Sequence, residues 1–356
     1  MSFLVRMARV DAIAPDLSEI RRAAEVIRNG GLVAFPTETV YGLGADSFNA
    51  EACDKIYEAK KRPRDNPSIV HICSLDQLRL VAARVPEVAM RVIEKAWPGP
   101  LTIVVKKSTS LPSAPTGGLD SVAVRMPAHP VALNLIELSE TPIAAPSANL
   151  SGRPSPTTAQ HVANDLGDAV DLILDAGETF FGVESTIVDI RGETPALLRP
   201  GPFTVGELKD VLGLEVKVSR AAEGWAQAEV ALAPGMKYRH YAPKTKLVLV
   251  DTGTDIGTVR HSTMFVADRY RGAGEKVLVL STDETSSDYA REGYDVLSWG
   301  TRGNLYTVAR NLYSRLRQVD TMGATVVVSE SFEDRGIGLA IMNRLRKAAS
   351  ATVRSL

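Results

Sequence analysis

Over about its first two hundred residues the chain alternates short apolar runs with helical periodicities, and nearly every run ends in a cluster of proline, glycine and serine. That alternation admits few folds. Runs too short for helices pair as buried strands, and the periodic segments between them cover the resulting sheet. Asp16 precedes Leu17, Ile20, Ala24 and Ile27 at helical spacing, Gly30 and Gly31 end that helix, and Leu32 to Phe35 read as a buried strand. Pro36 stops the strand, so the residues after it are expected to form a loop. Further strands are expected at Ile69 to Cys73, Leu101 to Val105, Val122 to Met126, Ile143 to Ala145, Leu172 to Leu174 and Thr186 to Ile190. Helices are expected at Glu51 to Lys61, Pro86 to Trp97, Val131 to Leu138 and Ala159 to Leu166. The class is α/β, a mixed sheet with flanking helices.

A length of 356 residues calls for two domains. After a helix near Val205 to Leu212, the segment Glu215 to Pro243 loses periodicity and ends in APGMKYRHYAP. From Lys246, the strand-like KLVLVD, KVLVLST and ATVVVSE alternate with helices near Asn304 to Val319 and Gly338 to Ala349. The expected organisation is a larger α/β domain over 1–212, a linker over 213–244 and a smaller α/β domain over 245–356.

A formal net charge of −1 gives no field to hold duplex DNA or an anionic membrane, so any phosphate site is local. The opening MSFLVRMARV lacks the apolar run of a signal peptide, and no stretch approaches a membrane span, so a cytoplasmic protein is expected. Cys53 and Cys73 cannot build a four-ligand zinc site and the five histidines are scattered; no structural metal is expected, and both cysteines read as small core residues. No G-x-x-x-x-G-K-[ST] and no G-x-G-x-x-G occurs, and Gly336 and Gly338 in RGIG are assigned only to packing.

Chemistry concentrates in the loops PTETVYGLG, KRPRDNP, WPGP, APSANLSGRPSP, FFGVES and LRPGP, and strand-end loops are where a rigid sheet presents binding groups. KKRPRDNP, Lys60 to Pro67, sets four cations beside two prolines, which suits phosphates held at fixed points. A solvated charged turn is the plainer alternative. Arg125 lies at the end of an apolar strand, where a guanidinium needs an anionic partner. Ser147 and Asn149 in APSAN, Ser185 in GVES and Arg199 in LRPG offer hydroxyl, amide and guanidinium groups after buried runs. Ser147 or Ser185 as a nucleophile is the rival reading, but neither sits in a G-x-S-x-G elbow.

Taken in order, FPTETVYGLG, KKRPRDNP, WPGPLT, VAVRMPAHP, APSANLSGRPSPT, GVESTIVD and LLRPG resemble the YrdC domain of threonylcarbamoyl-adenylate synthases. The tail, with APGMKYRHYAP, resembles the longer members that add a C-terminal domain, so the likeness covers nearly the whole chain. It implies a twisted sheet with a positively lined concave cavity, and a smaller Rossmann-like C-terminal domain. The implied reaction joins L-threonine, bicarbonate and ATP into threonylcarbamoyl-AMP and pyrophosphate, for modification of adenosine in tRNA. By the same resemblance Thr39, His71, Arg125, Ala145 and Ser185 hold threonine, with Arg125 on its carboxylate. ATP is held by Arg62, Asn66, Ser121, Ser147, Asn149, Ser155 and Arg199, with Tyr238 reaching in from the linker, and Lys60 and Arg62 neutralise the phosphates.

Magnesium is expected with ATP, held mainly by the nucleotide and water. The expected partners are a transferase that receives the product and tRNA itself, with no membrane. Tyr238, His240 and Tyr241 between Pro234 and Pro243 suggest a lid that excludes water from a hydrolysis-prone product. Two other readings compete with this one. One is a non-catalytic RNA-binding module, opposed by the near-neutral charge and the lack of a basic stripe interleaved with aromatics. The other is a different adenylate-forming or carbamoyl-transferring enzyme with the same domain, of which the hydrogenase-maturation relatives carry zinc fingers that this chain has too few cysteines to build.

Overall fold

The computed structural model describes residues 6–226, 231–237 and 240–354. One sheet is built from β1 (Met7–Arg9), β2 (Val33–Phe35), β3 (Gly42–Asp46), β4 (Ile69–His71), β5 (Leu101–Lys106) and β6 (Ser121–Arg125). To these it adds β7 (Ile143–Ala145), β8 (Leu172–Asp175), β9 (Thr186–Asp189), β10 (Ala196–Arg199) and β11 (Lys217–Val218). The strand order is β1-β8-β2-β3-β7-β4-β6-β5-β9-β10-β11. The sheet is mixed: β4 and β6 are parallel, whereas β7 runs antiparallel to both β3 and β4. Its helices are α1 (Leu17–Arg28), α2 (Ala50–Lys60), α3 (Leu75–Val81), α4 (Glu87–Ala96), α5 (Pro130–Ser139), α6 (Ala159–Leu166) and α7 (Val205–Leu212). Asp16 caps α1 as expected, its carboxylate accepting from the Ser18 amide at 2.8 Å.

The loop after Pro36 is shorter than expected. It covers only residues 37–41, and β3 then returns antiparallel to β2. Its GLGAD sequence has poor strand propensity, but the glycines answer a steric demand. A Cβ on Gly44 would lie 2.7 Å from the Ile143 side chain and 2.8 Å from the Phe35 ring. The segment expected as a linker likewise contributes β11, which extends the edge of the sheet beside β10.

Side-chain alternation along the central strands explains where a cavity can form. Val70, Ile103, Val105, Val124 and Val188 face a core closed by α3, α4 and α7. Their neighbours Ile69, Val104, Ala123 and Ile187 point to the other face, where the apolar cover comes from Ala233 and Met236 of the linker. This half of the sheet therefore has helices on one side and a thin strap on the other.

The second sheet comprises β12 (Lys246–Val250), β13 (Val277–Ser281), β14 (Asp295–Ser298), β15 (Val326–Ser329) and β16 (Ala351–Val353), all parallel, in the order β14-β13-β15-β12-β16. Parallel sheets need cover on both faces. Here α8 (Ile256–Gly272) and α9 (Asp283–Arg291) cover one face, while α10 (Leu305–Gln318) and α11 (Ile337–Ala348) cover the other. Gly338 has the packing role expected of it, since a Cβ there would meet the Glu333 carbonyl at 2.2 Å. The α10 and α11 core also takes in Val40, Val183 and Tyr241, which joins the two domains beside the strap. No helix among the described residues is long and apolar enough to cross a membrane.

Candidate active site

A single cavity gathers Lys60, Arg62, Thr39, His71, Arg125, Ala145, Ser147, Asn149, Ser155, Ser185 and Arg199, closed on one side by Pro234, Gly235, His240 and Tyr241. Asn66 and Ser121 are buried nearby but are not among its lining residues, and Tyr238 lies outside the described residues. Five of the described lining residues are cationic and only Glu184 is a carboxylate. Such a site favours a polyanion held away from water.

Strand register positions one end of the cavity. His71 and Arg125 are partners at the ends of parallel β4 and β6, and Ile143 of antiparallel β7 lies opposite His71. The buried Arg125 guanidinium donates from Nε to the Gly99 carbonyl at 3.2 Å and from Nη1 to Thr39 Oγ1 at 2.9 Å, while Nη2 lies 2.6 Å from Glu38 Oε2. The anion that its burial demands is thus already supplied within the chain by Glu38. With five N–H groups, the guanidinium retains donors for a second carboxylate from the cavity side. The His71 ring stands edge-on to Phe35 at 6.0 Å. Burial, reinforced by the Arg125 charge, lowers its pKa to about 3, so the imidazole is neutral.

At the other end, the cations shape loops before they meet any ligand. Lys60 ends α2, fully buried, and its ammonium donates to the Ser147 carbonyl at 2.5 Å and to the Asn149 carbonyl. Burial, followed by the nearby Arg62 charge, pushes its pKa well below the usual lysine value. Arg62 donates to the Asn66 and Pro67 carbonyls of its own loop at 3.0 and 2.9 Å. The Ser147 hydroxyl donates to Asn149 Oδ1 at 2.6 Å, and Asn149 Nδ2 holds the Leu150 and Arg153 carbonyls. Ser185 Oγ lies 2.8 Å from Thr102 Oγ1 and accepts from Arg199 Nη2 at 3.2 Å. Among the described residues no histidine bonds to Ser147, Ser155 or Ser185, so the serine-nucleophile reading finds no base.

Sequence reasoning singled out Ser185 but passed over its neighbour Glu184. This buried carboxylate accepts from Ser155 Oγ at 2.5 Å and from two residues of the second domain, Tyr313 and Arg344. The GVES motif contains it, but nothing local signals its partners. Arg153 also lines the cavity without having been singled out.

Residues 25–201 match a family model for Sua5, YciO and YrdC proteins, described as telomere recombination, and residues 203–350 match one described as the threonylcarbamoyl-AMP synthase C-terminal domain. The chain is 48% identical over 331 residues to threonylcarbamoyl-AMP synthase of Pyrococcus abyssi, covering 93% of this chain and 94% of the relative. It is 44% identical to the Bacillus subtilis protein of that name, covering 96% of each. In structure it resembles P. abyssi Sua5 complexed with L-threonine, with a TM-score of 0.90, 45% identity, and 99% of this chain and 100% of the other covered. Escherichia coli YciO, 24% identical with a TM-score of 0.51 over 56% of this chain and 96% of its own, shares the fold of the first domain. With both domain models matched and full-length likeness on either side, the chain belongs to the Sua5/YrdC family, in the long form that carries the additional C-terminal domain.

Proposed function

We propose that this chain is a threonylcarbamoyl-AMP synthase, with residues 1–212 holding the site, 213–244 closing it and 245–356 supporting both. The observation that carries this reading is the convergence of a buried Arg125, neutral His71 and Thr39 with the basic, serine-rich loops in one cavity. An amino acid carboxylate suits the first group and a nucleotide the second. The likeness to a structure holding L-threonine supports the amino acid assignment.

In this reading the threonine amine, having lost a proton, attacks the carbon of bicarbonate, and loss of water leaves a carbamate. A carbamate oxygen then attacks the α-phosphorus of ATP, the bond to the bridging oxygen breaks, and pyrophosphate departs. The carbamate is already an anionic nucleophile, so the protein's contribution is alignment and charge. Arg125 and Thr39 orient threonine, with His71, Ala145 and Ser185 completing its pocket. Ser147, Asn149, Ser155 and Arg199 flank the nucleotide, and Asn66, Ser121 and Tyr238 are assigned to it by the family resemblance alone. Lys60 contributes positive charge and holds the carbonyls of the SAN loop away from the phosphates, while Arg62 both shapes its loop and faces them.

Magnesium would enter with ATP. Glu184, the only carboxylate among the described lining residues, is already taken by Ser155, Tyr313 and Arg344, so these residues do not form a metal site of their own. When bound to the nucleotide, the ion would offset phosphate charge. A transferase acting on tRNA would receive the product in the cytoplasm. Carbon-13 bicarbonate supplied with threonine and ATP should yield an adenylate that carries the label by mass spectrometry. An unlabelled adenylate, or none, would defeat the reading.

A further inference from the structure

Glu184 is buried at the cavity wall, and the mechanism above leaves it unused. Its two oxygens face different domains. Oε1 accepts the Ser155 hydroxyl proton at 2.5 Å. Oε2 accepts from the Tyr313 hydroxyl at 2.8 Å and from Arg344 Nε and Nη2 at 3.1 and 3.0 Å, all supplied by α10 and α11. Arg344 is itself fixed by the Pro200 carbonyl at 2.6 Å, and Arg317 of α10 grips the Pro154 carbonyl, one residue before Ser155, at 2.5 Å. Burial alone would raise the Glu184 carboxyl, but the Arg344 and Arg199 charges outweigh it and keep it ionised.

A serine hydroxyl carries one proton. Because that proton is committed to an ionised carboxylate, Ser155 has only lone pairs left for a ligand. Phosphate oxygens, also acceptors, gain nothing from such a partner, whereas a ribose hydroxyl or an exocyclic amine does. We infer that Glu184 is a positioning residue that locks Ser155 as an acceptor for a hydrogen-bond donor on the nucleoside, and that the second domain holds it there through Tyr313 and Arg344. The inference rests on the reading of this cavity as an ATP site, and it gives the second domain a defined part in nucleotide recognition.

The test is calorimetric titration of the full chain with ATP, 2′-deoxy-ATP, 3′-deoxy-ATP and purine riboside triphosphate, which lacks the exocyclic amine. The wild type should bind one analogue about tenfold more weakly than ATP, and that analogue identifies the donor. Ser155→Ala and Tyr313→Phe leave the Glu184–Arg344 pair in place and so preserve the fold. Ser155→Ala should bind ATP about tenfold more weakly and lose the discrimination, and Tyr313→Phe should narrow it, with threonine affinity unchanged in both. In Glu184→Gln, Tyr313 and Arg344 both donate to one side of the amide, which turns its NH2 toward Ser155. Ser155 then becomes the donor, and the discrimination should disappear. ATP binding with no analogue weakened, or with Ser155→Ala or Tyr313→Phe discriminating as the wild type does, would overturn the inference alone. No ATP binding by the wild type would instead defeat the ATP reading on which it rests.

Discussion

Arg125 and Lys60 show how a buried charge acquires a role. A desolvated guanidinium or ammonium is costly unless paired or hydrogen bonded, and both groups find partners within the chain, Arg125 in an ion pair with Glu38 and hydrogen bonds to Thr39 and Gly99, Lys60 on the Ser147 and Asn149 carbonyls. Each is therefore held in place before any substrate arrives. His71 meets the same demand by remaining neutral. Its pKa is near 6.5 when unfolded and about 3 when folded, so between those values the unfolded state binds more protons. Its stabilising contribution is complete above about pH 6.5 and is lost as the pH falls toward 3. Urea unfolding between pH 6 and 4.5 should show stability falling with pH, and His71→Gln should flatten that slope by about 1 kcal/mol per pH unit. An unchanged slope would mean that His71 titrates normally in the folded protein. From the sequence, these residues were legible as types near loops, but their partners were not. Glu184 lies 160 positions from Arg344, and no local pattern encodes a contact at that distance.

At the scale of elements, the strap over the sheet explains how the cavity can both form and open. Ala233 and Met236 bury few apolar groups against β4, β5, β6 and β9, and one such large side chain contributes about 1.5–3 kcal/mol. A helix in that place would bury a whole apolar stripe and could not lift readily. The strap is pinned by hydrogen bonds, from Lys347 to the Gly235 carbonyl at 2.6 Å and from Arg199 to the Pro234 carbonyl at 3.3 Å, and by the exposed Lys237–Asp65 ion pair at 2.7 Å. We propose that this lightly held strap moves to admit ATP. Tyr238→Ala should weaken ATP binding by about tenfold and speed decomposition of the bound product, followed by chromatography of single-turnover mixtures. If neither changed, the lid would be abandoned. Strands with continuous apolar runs and most helices were legible from their periodicity, but α3, α8 and α9 were not read, α8 despite being the longest helix among the described residues. β1, β3, β10, β11, β14 and β16 were not read, because each is defined by its sheet partners and not by a long apolar run of its own.

The whole molecule is two sheets joined at a reaction chamber. The mixed sheet presents its loops to one cavity, the linker covers it, and α10 and α11 brace the wall through Glu184 and Tyr241. The division into two α/β domains was legible from the change of periodicity near residue 215, and the site from the order of its motifs. The contact between domains was not legible, because its apolar and charged members are scattered over both halves of the chain. That architecture fits a reaction in which three substrates must meet out of water. The most direct test of this account is pyrophosphate release from magnesium ATP by the purified protein, with threonine and bicarbonate omitted in turn. The account predicts release only when both are present; release without threonine, or without bicarbonate, would contradict it.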